Sequence, residues 1–230
     1  MIKNRTAQLI YQSFFCAFAL IGILSSVGLF DYAFAWDFYI YFTNLSNYLC
    51  AAVMLVELIQ TARRQGDSFV SALPKLKFVS MLGILLTFLV FNLLLAGEPS
   101  RDPALNFKVG SVCLHIILPI MYIGDWFLFY EHGRVKAFWP PLSALLPLGY
   151  LAYVFLHAAL RHFDAGIPNF NGNGILIYPY FFLRVDRIGA GGVARWCILL
   201  SVGFILSGYL FLALDRLLMK YKRQPVFPAQ

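Results

Sequence analysis

The sequence predicts an all-α, polytopic membrane protein: a single domain, residues 1–230, with six transmembrane helices. Apolar residues make up 60% of the 230-residue chain and charged residues only 13%, too few to cover the surface of a soluble protein. Five uncharged runs of 19 to 25 residues, and a sixth interrupted only by Asp125, are each long enough to cross about 30 Å of hydrocarbon. Lysine and arginine also divide unequally between the connecting segments.

The six spans follow these runs in order. The first run, 6–30, is too long for the apolar part of a cleavable signal peptide and predicts a helix over about 7–30. The next four runs predict helices over about 38–60, 77–97, 109–130 and 138–160. The last run, 196–214, predicts a helix over about 194–217. Glu57 and Asp215 lie near helix ends and are expected to be solvated.

The positive charges indicate the orientation. Twelve lysine and arginine residues fall on the side of the two termini, and six fall on the other side. The positive-inside rule therefore places both termini in the cytoplasm. The net charge of +7 is then mainly a topology signal, and nucleic acid is not an expected partner. Asp125, deep in the fourth span, is expected to have a structural role.

The long outer connection, 161–192, is predicted to fold back as a cap over the outer ends of the helices. Its first part is rich in asparagine and glycine, and its second part, 175–183, is an apolar run. Such an apolar run is not expected to extend into water.

Polar side chains inside the spans are the candidate functional residues, because each is costly in hydrocarbon without a partner. They lie along single helix faces: Thr43, Ser46, Asn47 and Cys50 in the second span, Ser111, His115, Pro119 and Tyr122 in the fourth, and Tyr150, Tyr153 and His157 in the fifth. The third span contributes Asn92. Counting from the outer boundary places Thr43, His115 and Asn92 at one depth, roughly 8–9 Å inside, with His157 somewhat shallower.

Thr43 and His115 are the candidate catalytic pair. A hydroxyl within reach of an imidazole is the minimal unit of nucleophilic acyl transfer. Asn47 and Asn92 are expected to orient the imidazole or to donate to a developing oxyanion. Pro119 leaves the carbonyl of His115 without its helical donor, which predicts a kink or a bound water. The alternative is that these residues only make interhelical hydrogen bonds.

Four short motifs resemble the androgen-induced and androgen-dependent tissue-factor-regulating family of membrane hydrolases. They are Phe-Thr-Asn-Leu-Ser-Asn at 42–47, Leu-His-Ile-Ile-Leu-Pro at 114–119, Gly-Tyr-Leu at 149–151 with His157, and Tyr-Pro-Tyr-Phe at 178–181. The resemblance covers nearly the whole chain in order and hydropathy, and it is greatest to the bacterial members.

The resemblance implies a six-helix, metal-independent hydrolase that cleaves fatty acid esters of hydroxy fatty acids in a bacterial cytoplasmic membrane. It implies Thr43 as the nucleophile and His115 as its partner, with a membrane lipid ester as substrate. No metal or other cofactor is expected. The expected supporting or substrate-binding residues are Asn47, Asn92, Ser46, Ser111, Tyr150, His157 and Tyr178.

Two other classes of function stay open. A small transporter or channel would carry ionisable residues through the full depth of the membrane, whereas this sequence shows its polar layer on the outer side with only Asp125 deeper. The remaining alternative is a membrane protein that binds lipid without chemistry.

Overall fold

A computed structural model describes residues 2–32, 34–66, 71, 73–99, 102–160, 169 and 176–223. Within these ranges the chain is helical without strands, and six helices are long and apolar enough to span a membrane. They are α1 (Arg5–Ser26), α2 (Phe42–Arg63), α3 (Pro74–Leu95), α4 (Val109–Phe129), α5 (Trp139–Leu160) and α6 (Val185–Arg223). The predicted all-α, six-helix membrane fold is confirmed. The largest difference from the predicted spans is α6, which begins at Val185 rather than near 194.

Residues at the helix starts explain where several helices begin. The Asn4 side chain accepts a hydrogen bond from the Ala7 N–H at 2.9 Å and so caps α1. Pro74 and Pro140 occupy the first turns of α3 and α5, where the N–H that proline lacks would have no helical partner. Gly189, with φ 67° and ψ 166°, interrupts the beginning of α6, a conformation that glycine adopts without a steric penalty.

Both α3 and α4 contain a wide, π-helical turn. In α3 the turn is Phe91–Leu95 and in α4 it is Cys113–Ile117. Pro119 cannot donate to the carbonyl of His115, and the helix instead closes a longer ring, in which the Leu118 N–H bonds to the carbonyl of Cys113. The distortion predicted before Pro119 is therefore a π turn.

Helix α3 is central: it packs against α2, α4, α5 and α6, while α1 packs against α2 and α4. We call the end of the bundle where α2 begins the Thr43 end, and the opposite end the Lys77 end. At the Lys77 end, Arg5 of α1 donates to the carbonyls of Thr61 and Ala62. Asp215 of α6 accepts a hydrogen bond from the Gly133 N–H at this end, so the start of α1 and the later turns of α6 lie at the same end of the bundle.

Part of the long connection before α6 packs against the bundle. Ile177 and Leu183 are buried in an apolar cluster with Phe42 of α2 and Val154 of α5. The Asn169 amide bonds to both the N–H and the carbonyl of Tyr178, each at 2.8 Å. Two parts of the predicted cap, 161–168 and 170–175, lie outside the described residues.

The expectation that Glu57 and Asp215 are solvated is wrong, since both are fully buried. Lys77 donates to both Glu57 and Asp125, and we call these three residues the Lys77 cluster. Asp215 contacts His132 Nδ1 at 3.0 Å. Both residues lie within three residues of the predicted helix ends at 60 and 217, whereas α2 and α6 continue beyond these ends.

Close helix contacts at glycine make a testable prediction. A Cβ at Gly208 of α6 would lie 2.9 Å from Pro140 and 3.2 Å from Leu82, whereas nothing lies within 4 Å of one at Gly203 on the same helix. We therefore expect Gly208→Leu to lower the free energy of unfolding by about 1–3 kcal/mol through overpacking. Thermal unfolding in detergent measures this, with Gly203→Leu as the matched control. Equal melting temperatures for the two variants would contradict the close contact.

Candidate active site

A cavity of about 800 Å³ lies at the Thr43 end of the bundle. Thr43 of α2 and His115 of α4 both line it, as the common depth of the two residues predicts. Its walls come from α1 to α4 and from the connecting segments, including the one before α6. Its polar lining residues include Ser25, Ser26, Asp31, Asn44, Glu98, Lys108 and Ser111. The candidate catalytic pair therefore faces one polar space.

The His115 ring is held by its own helix and by α3. Its Nδ1 lies 2.9 Å from the carbonyl oxygen of Ser111 and 3.2 Å from the Ser111 hydroxyl. The ring of Phe91 stacks on the imidazole, with centroids 3.6 Å apart and planes within 11°. Because a carbonyl only accepts, Nδ1 carries the proton, and a neutral ring then has its lone pair on Nε2. A backbone carbonyl thus does the orienting that a carboxylate does in many hydrolases.

Thr43 lies in the first turn of α2, where backbone N–H groups have no helical acceptor. The hydroxyl oxygen of Tyr180 accepts the Thr43 N–H at 3.4 Å. Burial raises the pKa of the Tyr180 phenol above its usual value of 10.0, so this group stays protonated at neutral pH. Tyr180 therefore places an O–H donor next to Thr43 in the wall of the cavity.

Asn47 and Asn92 join helices through backbone carbonyls. Asn47 Nδ2 donates to the carbonyl of Thr43 at 2.8 Å and to that of Leu114 at 3.1 Å. Asn92 Nδ2 donates to the carbonyl of Phe88 at 2.8 Å and to that of His115 at 3.5 Å. An amide nitrogen has two hydrogens, so in each residue both hydrogens are used by backbone carbonyls. This geometry differs from the expected donation to an oxyanion, because the donors of both residues bond to backbone carbonyls.

Four further predicted residues lie around the site in different roles. Ser46 bonds to Thr87 of α3 at 2.7 Å, which is an interhelical contact. Tyr150 donates to the carbonyl of Ile40 at 2.9 Å. His157 Nε2 lies 3.5 Å from the Tyr39 hydroxyl, and the backbone of Tyr178 is bonded to Asn169. None of these four residues lines the 800 Å³ cavity.

Thr43 also lines a second, smaller space. This apolar cavity of about 60 Å³ lies between α2, α3, α5 and α6, and its lining includes Leu86, Val90, Tyr150, Phe182 and Leu200. Tyr180 lines both spaces as well. Thr43 and Tyr180 therefore form part of the wall between a polar cavity and an apolar one.

Phe91 and Tyr180 are the site residues that sequence reasoning did not select. The motif Tyr-Pro-Tyr-Phe contains Tyr180, but it offers Tyr178 equally, and only packing decides between them. Phe91 directly precedes Asn92, and a phenylalanine in an apolar span carries no signal of its own. Among the described residues, no group of three or more His, Cys, Asp or Glu side chains could hold a metal ion.

The two asparagines give a matched test of their positions. Asn47 is buried with two short hydrogen bonds, whereas Asn92 is exposed and its interhelical contact is long. We expect Asn47→Ala to lower the free energy of unfolding by about 2 kcal/mol and Asn92→Ala by less than about 0.5 kcal/mol. Thermal unfolding of both variants in detergent checks the difference. A larger loss for Asn92→Ala would contradict the assigned contacts.

Comparison with known proteins does not assign the chain to a family. No protein-family model, no curated protein and no solved structure matches it. A function is therefore inferred from the chemistry of the residues that meet at the Thr43 end.

Proposed function

We propose that this protein is an intramembrane lipid ester hydrolase with Thr43 as nucleophile and His115 as general base. The observation that carries the proposal is that Thr43 and His115 line one cavity while Ser111 holds the imidazole at Nδ1. That tautomer leaves Nε2 as the proton acceptor, which a hydroxyl nucleophile requires. The resemblance of the motifs at 42–47 and 114–119 to a family of membrane hydrolases supports the same pair.

In the first half of the reaction, the Thr43 hydroxyl attacks the ester carbonyl carbon and its proton passes to Nε2 of His115. The carbonyl oxygen becomes an oxyanion, to which the protonated Tyr180 hydroxyl donates a hydrogen bond. When the tetrahedral intermediate collapses, the bond from the carbonyl carbon to the alcohol oxygen breaks. The imidazolium returns its proton to that oxygen, which leaves an acyl group on Thr43.

In the second half, water enters from the polar cavity and His115 takes one of its protons. The resulting hydroxide attacks the acyl carbon, the bond to Thr43 breaks, and the threonine oxygen recovers a proton from the imidazolium. The products are a carboxylic acid and the original threonine. Phe91, stacked on the imidazole, keeps the ring in the plane that both proton transfers need.

The proposed substrates are fatty acid esters of hydroxy fatty acids or similar lipid esters. Such esters partition into the bilayer, and they would reach the cavity from the membrane rather than from water. We place the Lys77 end in the cytoplasm, because most lysine and arginine residues of the connecting segments lie on that side. The membrane is proposed to be a bacterial cytoplasmic membrane.

Substitution of the pair tests the proposal directly. We expect Thr43→Ala and His115→Ala each to reduce hydrolysis of a hydroxy-fatty-acid ester by at least about 1000-fold, since the two groups act as one unit. Purified protein in detergent and fatty acid release provide the measurement. Thr61→Ala is the matched control, because Thr61 is a fully buried threonine at the other end of α2. Full turnover in either active-site variant would exclude the mechanism.

A second candidate function, proton-coupled transport, is favoured by the Lys77 cluster. One lysine buried between two carboxylates carries an uncompensated negative charge unless a proton is bound, and such a charge is costly in the membrane. Ionisable groups thus occur at the Lys77 end as well as at the Thr43 end, which the sequence had suggested only through Asp125. Intramembrane carboxylates that bind and release a proton form the proton relays of many transporters.

Liposomes separate the two candidates. If the protein is a transporter, a proton gradient drives solute uptake and Asp125→Asn abolishes it, because the amide cannot bind and release the proton. If it is a hydrolase, Asp125→Asn leaves the catalytic pair intact and ester turnover continues. Absence of both activities, with lipid still bound, would favour the non-catalytic lipid-binding alternative.

A further inference from the structure

We infer that the acyl chain of the ester lies in an apolar passage that runs from Thr43 to a crevice between α3 and α6, while the alcohol half of the ester occupies the polar cavity. This inference rests on the proposed function, because it assigns the two halves of the substrate to the two sides of Thr43. It adds a binding site for a linear fatty acyl chain and a direction in which that chain leaves the catalytic centre.

The crevice lies next to the small apolar cavity, and three side chains separate the two spaces. It has a volume of about 280 Å³, and its lining comes only from α3 and α6. Leu86 and Val90 of α3 and Leu200 of α6 line both spaces. These three side chains are therefore the boundary that an acyl chain would cross, and Thr43 lies at the far side of it.

The crevice opens toward the surrounding lipid. Leu93 and Leu199, on its two walls, are 74% and 61% exposed on helices that span the membrane. A chain threaded from Thr43 past Leu200 would thus emerge among lipid tails, which is a suitable environment for a long acyl group. The same opening provides a lateral route of entry from the bilayer.

The other side of Thr43 has the opposite character. There the 800 Å³ cavity has a mixed lining, in which Asp31, Asn44, Glu98 and Lys108 lie among apolar side chains. Water and the carboxylate of the hydroxy-acid half are favoured in such a space, whereas the other acyl chain carries no charge and is favoured on the apolar side. Because the scissile carbonyl must lie at Thr43, this asymmetry determines which half of the ester faces which cavity.

Gly203 offers a way to close the crevice without disturbing the helix packing. It lines the crevice, and no atom lies within 4 Å of a Cβ built on it. The Cβ of a phenylalanine at this position would therefore meet no neighbouring helix, and we expect its ring to occupy part of the crevice. Gly149 of α5 is equally open but lines neither the crevice nor the small cavity, so Gly149→Phe is the matched control.

The first experiment compares esters that share one alcohol half and differ only in acyl length. With Gly203→Phe, kcat/KM for a palmitoyl ester is expected to fall about ten-fold or more, while kcat/KM for a butanoyl ester changes less than about two-fold. Gly149→Phe should leave both values unchanged. An unchanged ratio of long-chain to short-chain values in Gly203→Phe would overturn the passage but leave the hydrolase intact.

The second experiment does not depend on turnover. The Thr43→Ala protein is mixed with an ether analogue of the ester that carries a diazirine near the end of its acyl chain, and the photolabelled peptides are identified by mass spectrometry. Labelling is expected on the α3 and α6 segments around Val90 and Leu200, and Gly203→Phe should reduce it at least about five-fold. Labels confined to the polar cavity, around Asn44 and Lys108, would overturn the inference.

The two experiments also separate this inference from the proposed function. If the wild-type protein hydrolyses no ester of any length, the proposed function fails, and the labelling pattern still decides whether an acyl chain occupies the crevice. If short esters are hydrolysed and the label avoids α3 and α6, the hydrolase remains and the passage is wrong.

Discussion

Hydrocarbon offers no hydrogen-bond partner, so each polar group inside this bundle must find one in the protein. The Asn47 amide shows how this constraint builds the site. Its two hydrogens bond to the carbonyls of Thr43 and Leu114, which ties the start of α2 to the turn of α4 that carries His115. Ser80 and Tyr122, with oxygens 2.7 Å apart, join α3 to α4 in the same way.

The same constraint explains the irregular backbone at the site. Pro119 removes one hydrogen-bond donor from α4, and the helix forms a π turn at this point. The Asn92 amide lies 3.5 Å from the carbonyl of His115, which has lost its helical donor. The widened turn brings His115 against Phe91, which itself begins the π turn of α3. Wide turns often occur at functional sites because they aim a side chain where a regular helix would not. Here the π turns of α3 and α4 are in contact through the imidazole of His115 and the ring of Phe91.

Buried charged side chains are placed differently from the uncharged polar ones. Lys77 lies between Glu57 and Asp125 at one end of the bundle, and Asp215 pairs with His132 and the Gly133 N–H nearby. Buried pairs of this kind add little net stability but are costly to break, because the remaining charge has no water. They therefore hold α2, α3, α4 and α6 in one arrangement at the end opposite Thr43. The 800 Å³ cavity and these buried ionic groups thus occupy separate ends of the protein.

The sequence by itself determined the six-helix class, the approximate spans, and the shared depth of Thr43 and His115, because these depend on residue type and on the rise along one helix. It also located the distortion at Pro119, since the missing donor is a local property. Only the tertiary structure decided that Tyr180 rather than Tyr178 reaches the cavity, that Asn47 bonds to carbonyls, and that Glu57 is paired with Lys77. Spacing along a helix shows which residues share one face of that helix. Which faces of different helices meet depends on how α3 packs among its neighbours, and that is a property of the whole bundle.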